Sequence, residues 1–218
     1  MLNLIDATDD VTTDIGDFNI DLGGVLGFDA NRDIEGQLIN NGLVNIATDR
    51  TLRLIDDSST GVSDSGIFNI GSRAILDLAG SRQNSGDFSG DDDAGLRITA
   101  GDVDINGDFS FAGILEVGAD NSVVNVNISQ EVDLDSVFVT GFGGDANLNL
   151  QGQGVSAGPS QNRVRGSIII SSSLTDSATL NSGTDLVIDR NIALGSGSNL
   201  VSSGNIEASE LNLSLIHI

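Results

Sequence analysis

The sequence predicts an all-β chain wound as a right-handed parallel β-helix, with coils of about 20–27 residues. Three observations carry that expectation. Glycine and paired apolar residues recur at one spacing, apolar and polar residues alternate in short runs, and the composition favours turns over helices.

The spacing template is a glycine, apolar residues two and four positions later, a variable stretch, then a second apolar pair. Gly16 leads to Phe18, Ile20, Leu26 and Phe28, and Gly42 leads to Val44, Ile46, Leu52 and Leu54. Gly66 gives Phe68, Ile70, Leu76 and Leu78; Gly86 gives Phe88, Gly90, Leu96 and Ile98. After Gly113 come Leu115 and Val117, with Val124 and Val126 one residue late. A coil of this length cannot bury its apolar face alone, so successive coils must stack and share one lumen. Propeller repeats are longer, and a sandwich would not keep two apolar pairs at nearly constant offset.

Stacking in this register makes two outward rows. Asn19, Asn45 and Asn69 fall between the first apolar pairs, where amides could bond along the axis at the strand spacing of ~4.8 Å. Gly27, Arg53, Asp77 and Arg97 fall between the second pairs, three of them making a row of alternating charge.

Beyond about residue 127 the template loosens. Val137 and Val139 are followed by Leu148 and Leu150 only after the glycine-rich stretch 141–144. The segment 151–163, rich in Gly, Ser and Gln around Pro159, reads as a loop protruding from one coil, after which Gly166, Ile168 and Ile170 resume the pattern. The resulting organisation is an N-terminal lead-in over residues 1–15, a β-helix over 16–212 and a tail over 213–218.

Composition agrees with this architecture and excludes several functions. The chain has 218 residues, 28 glycines and a single proline, and its eight aromatic residues are all Phe, so the core should be thin and aliphatic. Its acids are 27 Asp and five Glu and its nine basic residues are all Arg, a bias toward turns that leaves little helix. A net charge of −23 repels a phosphate backbone and an anionic membrane surface, so neither nucleic acid nor membrane insertion is expected. Cysteine is absent, which excludes disulfides.

The degenerate repeats NNGLVNIATDRTLRL and DSGIFNIGSRAILDL resemble the passenger regions of bacterial autotransporters and of filamentous haemagglutinin-type exoproteins. The resemblance extends over most of residues 16–213. It implies a cell-surface or extracellular β-helical stalk without catalytic activity, whose loops meet a host or neighbouring-cell surface protein or glycan. The start, MLNLIDATDD, lacks the basic and apolar regions of a signal peptide, so the export signal is expected outside this chain. The ending LSLIHI resembles the conceptual translation of a transposase adapter used in sequencing libraries. It is therefore expected to be non-native, which removes His217, the single histidine, from functional consideration.

The candidate chemistry is limited. Asp102, Asp104, Asn106 and Asp108 carry oxygen ligands at alternate positions, with Gly107 at the turn, as at the opening of a Ca²⁺ loop. Gly113 stands where such a loop needs Glu, and the intervening Val103 and Ile105 read equally as a strand with a solvated acidic face. No cofactor other than this Ca²⁺ is implied. The run Asp91, Asp92 and Asp93 reads as a turn. The alternative function is a polysaccharide lyase or hydrolase with a Ca²⁺-assisted acidic site, for which Arg163 and Arg165 could act as an anion clamp. Against it, Asp is too abundant for any one pair to be informative, and Trp and Tyr are absent as sugar platforms.

Overall fold

The computed structural model describes residues 2–4, 11–14, 18–56, 62–84, 86–120, 122–152, 161–173 and 175–213. Among them there is no helix, and every strand pairing is parallel, each strand lying on its equivalent one coil away. About eight turns stack into a β-solenoid. Parallel neighbours cannot be joined by a hairpin, so each return path is the rest of the coil.

Three faces enclose the lumen. The first holds Leu2–Leu4, Val25–Phe28, Leu43–Ile46, Ile67–Ile70, Phe88–Gly90 and Phe109–Phe111, paired in that order. The second holds Val11–Asp14, Arg32–Glu35, Thr51–Ile55, Ile75–Ala79, the start of Gly95–Ile105, Ile114–Asp120, Ser136–Phe142 and Ile168–Ser172. On the third, the end of Gly95–Ile105 pairs with Val124–Ile128, then Ala146–Leu150, Ala178–Ser182 and Ser198–Ser202. Gly95–Ile105 turns the corner between the second and third faces at Gly101. There φ is +80°, and a Cβ would press on the Ser81 backbone nitrogen 2.6 Å away.

Alternation explains what is buried. Leu52, Leu76, Leu96, Leu115, Val137 and Ile168 form one inward column of the second face, and Val103, Val126, Leu148 and Leu180 one of the third. The first face departs from the expected aliphatic lumen. Phe68 stacks on Phe88 with centroids 5.3 Å apart, and Phe109 and Phe111 continue the cluster. Phe111 also accounts for the glycine that interrupts the apolar pair of its coil, because a Cβ on Gly90 would meet its ring at 2.6 Å.

The register corrects the first and fifth copies of the template. Leu26 and Phe28 pair with Val44 and Ile46, so the first-face strand that follows Gly24 is the true equivalent of those following Gly42 and Gly66. Phe18–Ile20 belongs to the third face, and Asn19 pairs with Ile39 instead of joining Asn45. Likewise Phe109 and Phe111, after Gly107, occupy the first face, whereas Leu115 and Val117, after Gly113, lie on Leu96 and Ile98 of the second. All three faces carry the same local signature, which spacing alone cannot distinguish. The leading glycines have a shared cause: a Cβ on Gly42, Gly66 or Gly86 would collide with the carbonyl oxygen of the preceding corner glycine.

The expected boundaries also shift. Leu2–Leu4 and Val11–Asp14 already pair with the next coil, so stacking begins before residue 16. Gln161–Val164 is a strand lying between Asp133–Leu134 and Asp185–Leu194, which shortens the loop expected over 151–163. Its residues 153–160 lie outside the described residues, as do 214–218 of the tail, while Leu213 pairs with Leu194.

Candidate functional site

Asp102 and Asp104 stand on the outward side of a third-face strand, with Val103 and Ile105 wholly buried between and beside them. Alternation therefore sends their carboxylates to one side of the sheet, where each meets the next coil. Asn125 donates from Nδ2 to Asp102 Oδ1 at 2.7 Å, and Asn147 donates to Asn125 Oδ1 at 3.0 Å. One column over, Asn127 donates to Asp104 at 2.6 Å, Asn149 to Asn127 at 2.8 Å and Asn181 to Asn149 at 2.8 Å. Every donor points toward the earlier coil. The side-chain dipoles thus align, and the N–H end of each column rests on an anion, which makes the terminal bond charge-assisted.

Asn106 belongs to the same pattern, accepting from the Ser129 hydroxyl at 2.7 Å. Asp108 lies beyond Gly107, and its backbone N–H donates to Asp87 Oδ1 at 3.0 Å. The four residues of the Ca²⁺ pattern thus run along a strand and its exit, each engaged through side chain or backbone by a neighbouring coil, and Asp104 is half-buried under its amide. Among the described residues no three acidic or histidine side chains gather as a metal-binding group.

Of the second row expected from the sequence, Arg53, Asp77 and Arg97 stack as expected, whereas Gly27 lies on the first face. Asp33, Arg53, Asp77, Arg97 and Glu116 are consecutive register partners on the second face. Arg97 donates from Nε to Glu116 at 2.8 Å, and Arg53 Nε lies 3.5 Å from Asp77. Asp77 is largely buried, and that burial raises its carboxyl above the usual range despite Arg53, the Thr99 hydroxyl and Arg97. On the first face Asn69 donates to Asn45 at 3.0 Å, and Gly27 fills the place expected of Asn19.

Arg163 lies in the strand Gln161–Val164 and Arg165 just beyond its end, and the two engage different acids. Arg163 binds Asp189 through Nη2 at 2.7 Å, whereas Arg165 donates to Asp92 and to the Ala112 carbonyl, each at 2.8 Å, with Asp133 at 3.2 Å. The hydrogen bond from Arg165 holds the Asp92 carboxyl below its ordinary value. Asp91–Asp93 forms the expected turn, closed by the Ala94 N–H on the Asp91 carbonyl at 3.0 Å.

Sequence reading missed a polar node inside the lumen. Arg82 and Asp64 project inward from the third face, 3% and 1% exposed, and form an ion pair there. Arg82 also donates to the Leu38 carbonyl at 3.0 Å, and the Asn40 N–H donates to Asp64 at 2.7 Å. The Asn40 side chain accepts from the Gly42 N–H at 3.1 Å and donates to the Ile67 carbonyl at 3.0 Å. Burial pushes the Asp64 carboxyl up, against the attraction of Arg82 and the Asn40 N–H. The available signal was phase: Val62 and Asp64, then Arg82 and Asn84, align with Val103 and Ile105 of the next coil.

Open surface depressions remain shallow. The groove over Gly27, Asn45, Thr48 and Asn69 has a volume of about 320 Å³, and one over Arg73, Asp93, Arg97 and Glu116 about 200 Å³. No described helix is long and apolar enough to cross a membrane. Comparison with protein-family models, curated proteins and solved structures returns no match.

Proposed function

We propose that the chain is a non-catalytic β-solenoid segment of a bacterial cell-surface or secreted exoprotein, a stalk that extends reach and presents its faces and loops to a surface protein or glycan. The observation that carries this reading is the use made of the polar side chains. Asp102, Asp104, Arg97, Glu116, Arg163 and Arg165 each join one coil to another instead of meeting around a common point. Catalytic carboxylates of a glycosidase would have to face each other across a substrate-sized gap. Repeating coils also lengthen the body without altering its cross-section, which suits a spacer.

The test is incubation of the purified chain with neutral and acidic polysaccharides, with and without Ca²⁺, beside an adherence assay of cells displaying it. No turnover is expected, and displayed chains should raise adherence. Ca²⁺, if it is held by oxygens of Asp102, Asp104, Asn106 and Asp108, should raise the melting temperature without starting chemistry. Turnover abolished by Asp102→Asn or Asp104→Asn would overturn the proposal in favour of a carbohydrate-active enzyme.

A further inference from the structure

We infer that the amide columns of the third face form a binding surface for an extended, uncharged polysaccharide lying along the solenoid axis. This inference rests on the surface-stalk reading and deepens it by naming the partner chemistry and its location.

The first support is unspent hydrogen-bonding capacity. An asparagine amide has two N–H donors and an oxygen with two lone pairs, and a ladder step uses one donor and one lone pair. Asn125, Asn127, Asn147 and Asn149 therefore each keep a donor and an acceptor site after their ladder bonds are made. Because neighbours clamp each amide, its rotamer entropy is already lost before a ligand arrives. Thr179 and Asn181 extend the two columns one coil further, in register with Asn147 and Asn149.

Charge distribution supplies the second support. The strands Val124–Ile128, Ala146–Leu150, Ala178–Ser182 and Ser198–Ser202 contain no ionisable side chain, although the chain carries 32 acids and a net charge of −23. An anionic polymer would be repelled by the surrounding acids, and a cationic partner would be drawn to those acids instead of to this neutral strip. A neutral chain of hydroxyl groups meets the strip without either conflict. Its repeated donors and acceptors match a surface whose own donors and acceptors repeat at the strand spacing of ~4.8 Å. With no Trp or Tyr in the chain to stack on a sugar ring, each unit binds weakly through its edge, and retention depends on many units acting together.

The experiment measures retention of the full chain on microcrystalline cellulose, chitin and mannan, with polygalacturonate as the anionic comparison. Two variants probe the face: the pair Asn127→Asp with Asn149→Asp, and Thr179→Arg, which breaks no ladder bond. Asn69→Asp on the first face is the control, and thermal unfolding checks that each variant is folded. The expected result is retention on at least one neutral polymer, increasing with the length of soluble competitor oligosaccharides, about tenfold weaker in both third-face variants and unchanged in the control. Should the double aspartate variant fail to fold, Thr179→Arg alone decides. Retention on no neutral polymer, retention only on polygalacturonate, or equal retention by wild type and a folded third-face variant would overturn the inference. Adherence of displaying cells without glycan binding would sink this inference and leave the stalk reading standing, whereas polymer turnover would overturn the stalk reading itself.

Discussion

The lumen around Asn40, Asp64 and Arg82 and the outer surface from Asp102 to Asn181 are built from the same chemical groups, but they end in opposite states. Inside, Asp64 accepts from Arg82 and from the Asn40 N–H, and the Asn40 amide, itself wholly buried, is tied to the Gly42 N–H and the Ile67 carbonyl. Outside, the amides bond only up and down their columns and keep the remaining valences toward solvent. Burial makes the difference. A polar group in the lumen must be fully satisfied or pay for its lost hydration, whereas an exposed one can leave sites to water and so to a ligand.

That contrast predicts a steep gradient of mutational cost. Arg82→Leu should be the most damaging change, about 3–5 kcal/mol, because it removes the cationic partner of a carboxylate buried in the lumen. Chemical denaturation measures it, and a cost below that of a face variant would break the contrast. Phe68→Ala should cost a similar or slightly smaller amount, about 3 kcal/mol, by opening a void beside Phe88.

On the surface the effects shrink. Asn127→Ala interrupts its column and should cost about 1 kcal/mol, since Asp104 and Asn149 can turn to water. Arg97→Ala should cost under about 1 kcal/mol and lose that effect as salt is raised, because the Arg97–Glu116 pair is about 40% exposed on both sides.

The smallest effect is in acid. The carboxyls of Asp49, Asp92 and Asp176 lie below their usual 3.8, held by Arg73, Arg165 and the Ser173 hydroxyl. Their contributions are present above 3.8 and lost as pH falls through the folded values. Asp64 and Asp77, raised by burial, act with opposite sign: the folded state holds their protons more tightly, so their terms favour folding at low pH and are lost as pH rises through the folded values. Stability should therefore climb modestly as pH is lowered toward 3.8 and fall below it. A monotonic profile in acid would show that one of these groups is misassigned.

Much of this was legible from residue order. Glycine spacing and alternation revealed the solenoid, and the Arg53, Asp77 and Arg97 row followed from the same offsets. The Asn19 assignment failed because a glycine followed by alternating apolar residues marks any of the three faces, so a copy can slip by a whole face without changing its local pattern. Asp64 and Arg82 escaped notice because a polar inward position looks like a turn until the neighbouring coil supplies the phase. The amide donors on Asp102 and Asp104 escaped the sequence reading, since their Asn partners lie about one coil away and no local motif marks them.

The central claim is that charged and amide side chains serve to join coil to coil, and its buried extreme gives the most direct test. A double-mutant cycle of Asp64→Leu and Arg82→Leu, read by equilibrium unfolding at neutral pH, separates a partnership from two independent burials. The account predicts that each single variant loses several kcal/mol, about 3–5, while the double variant loses far less than the sum of the two. Additive losses would contradict it, because they would mean that neither residue depends on the other.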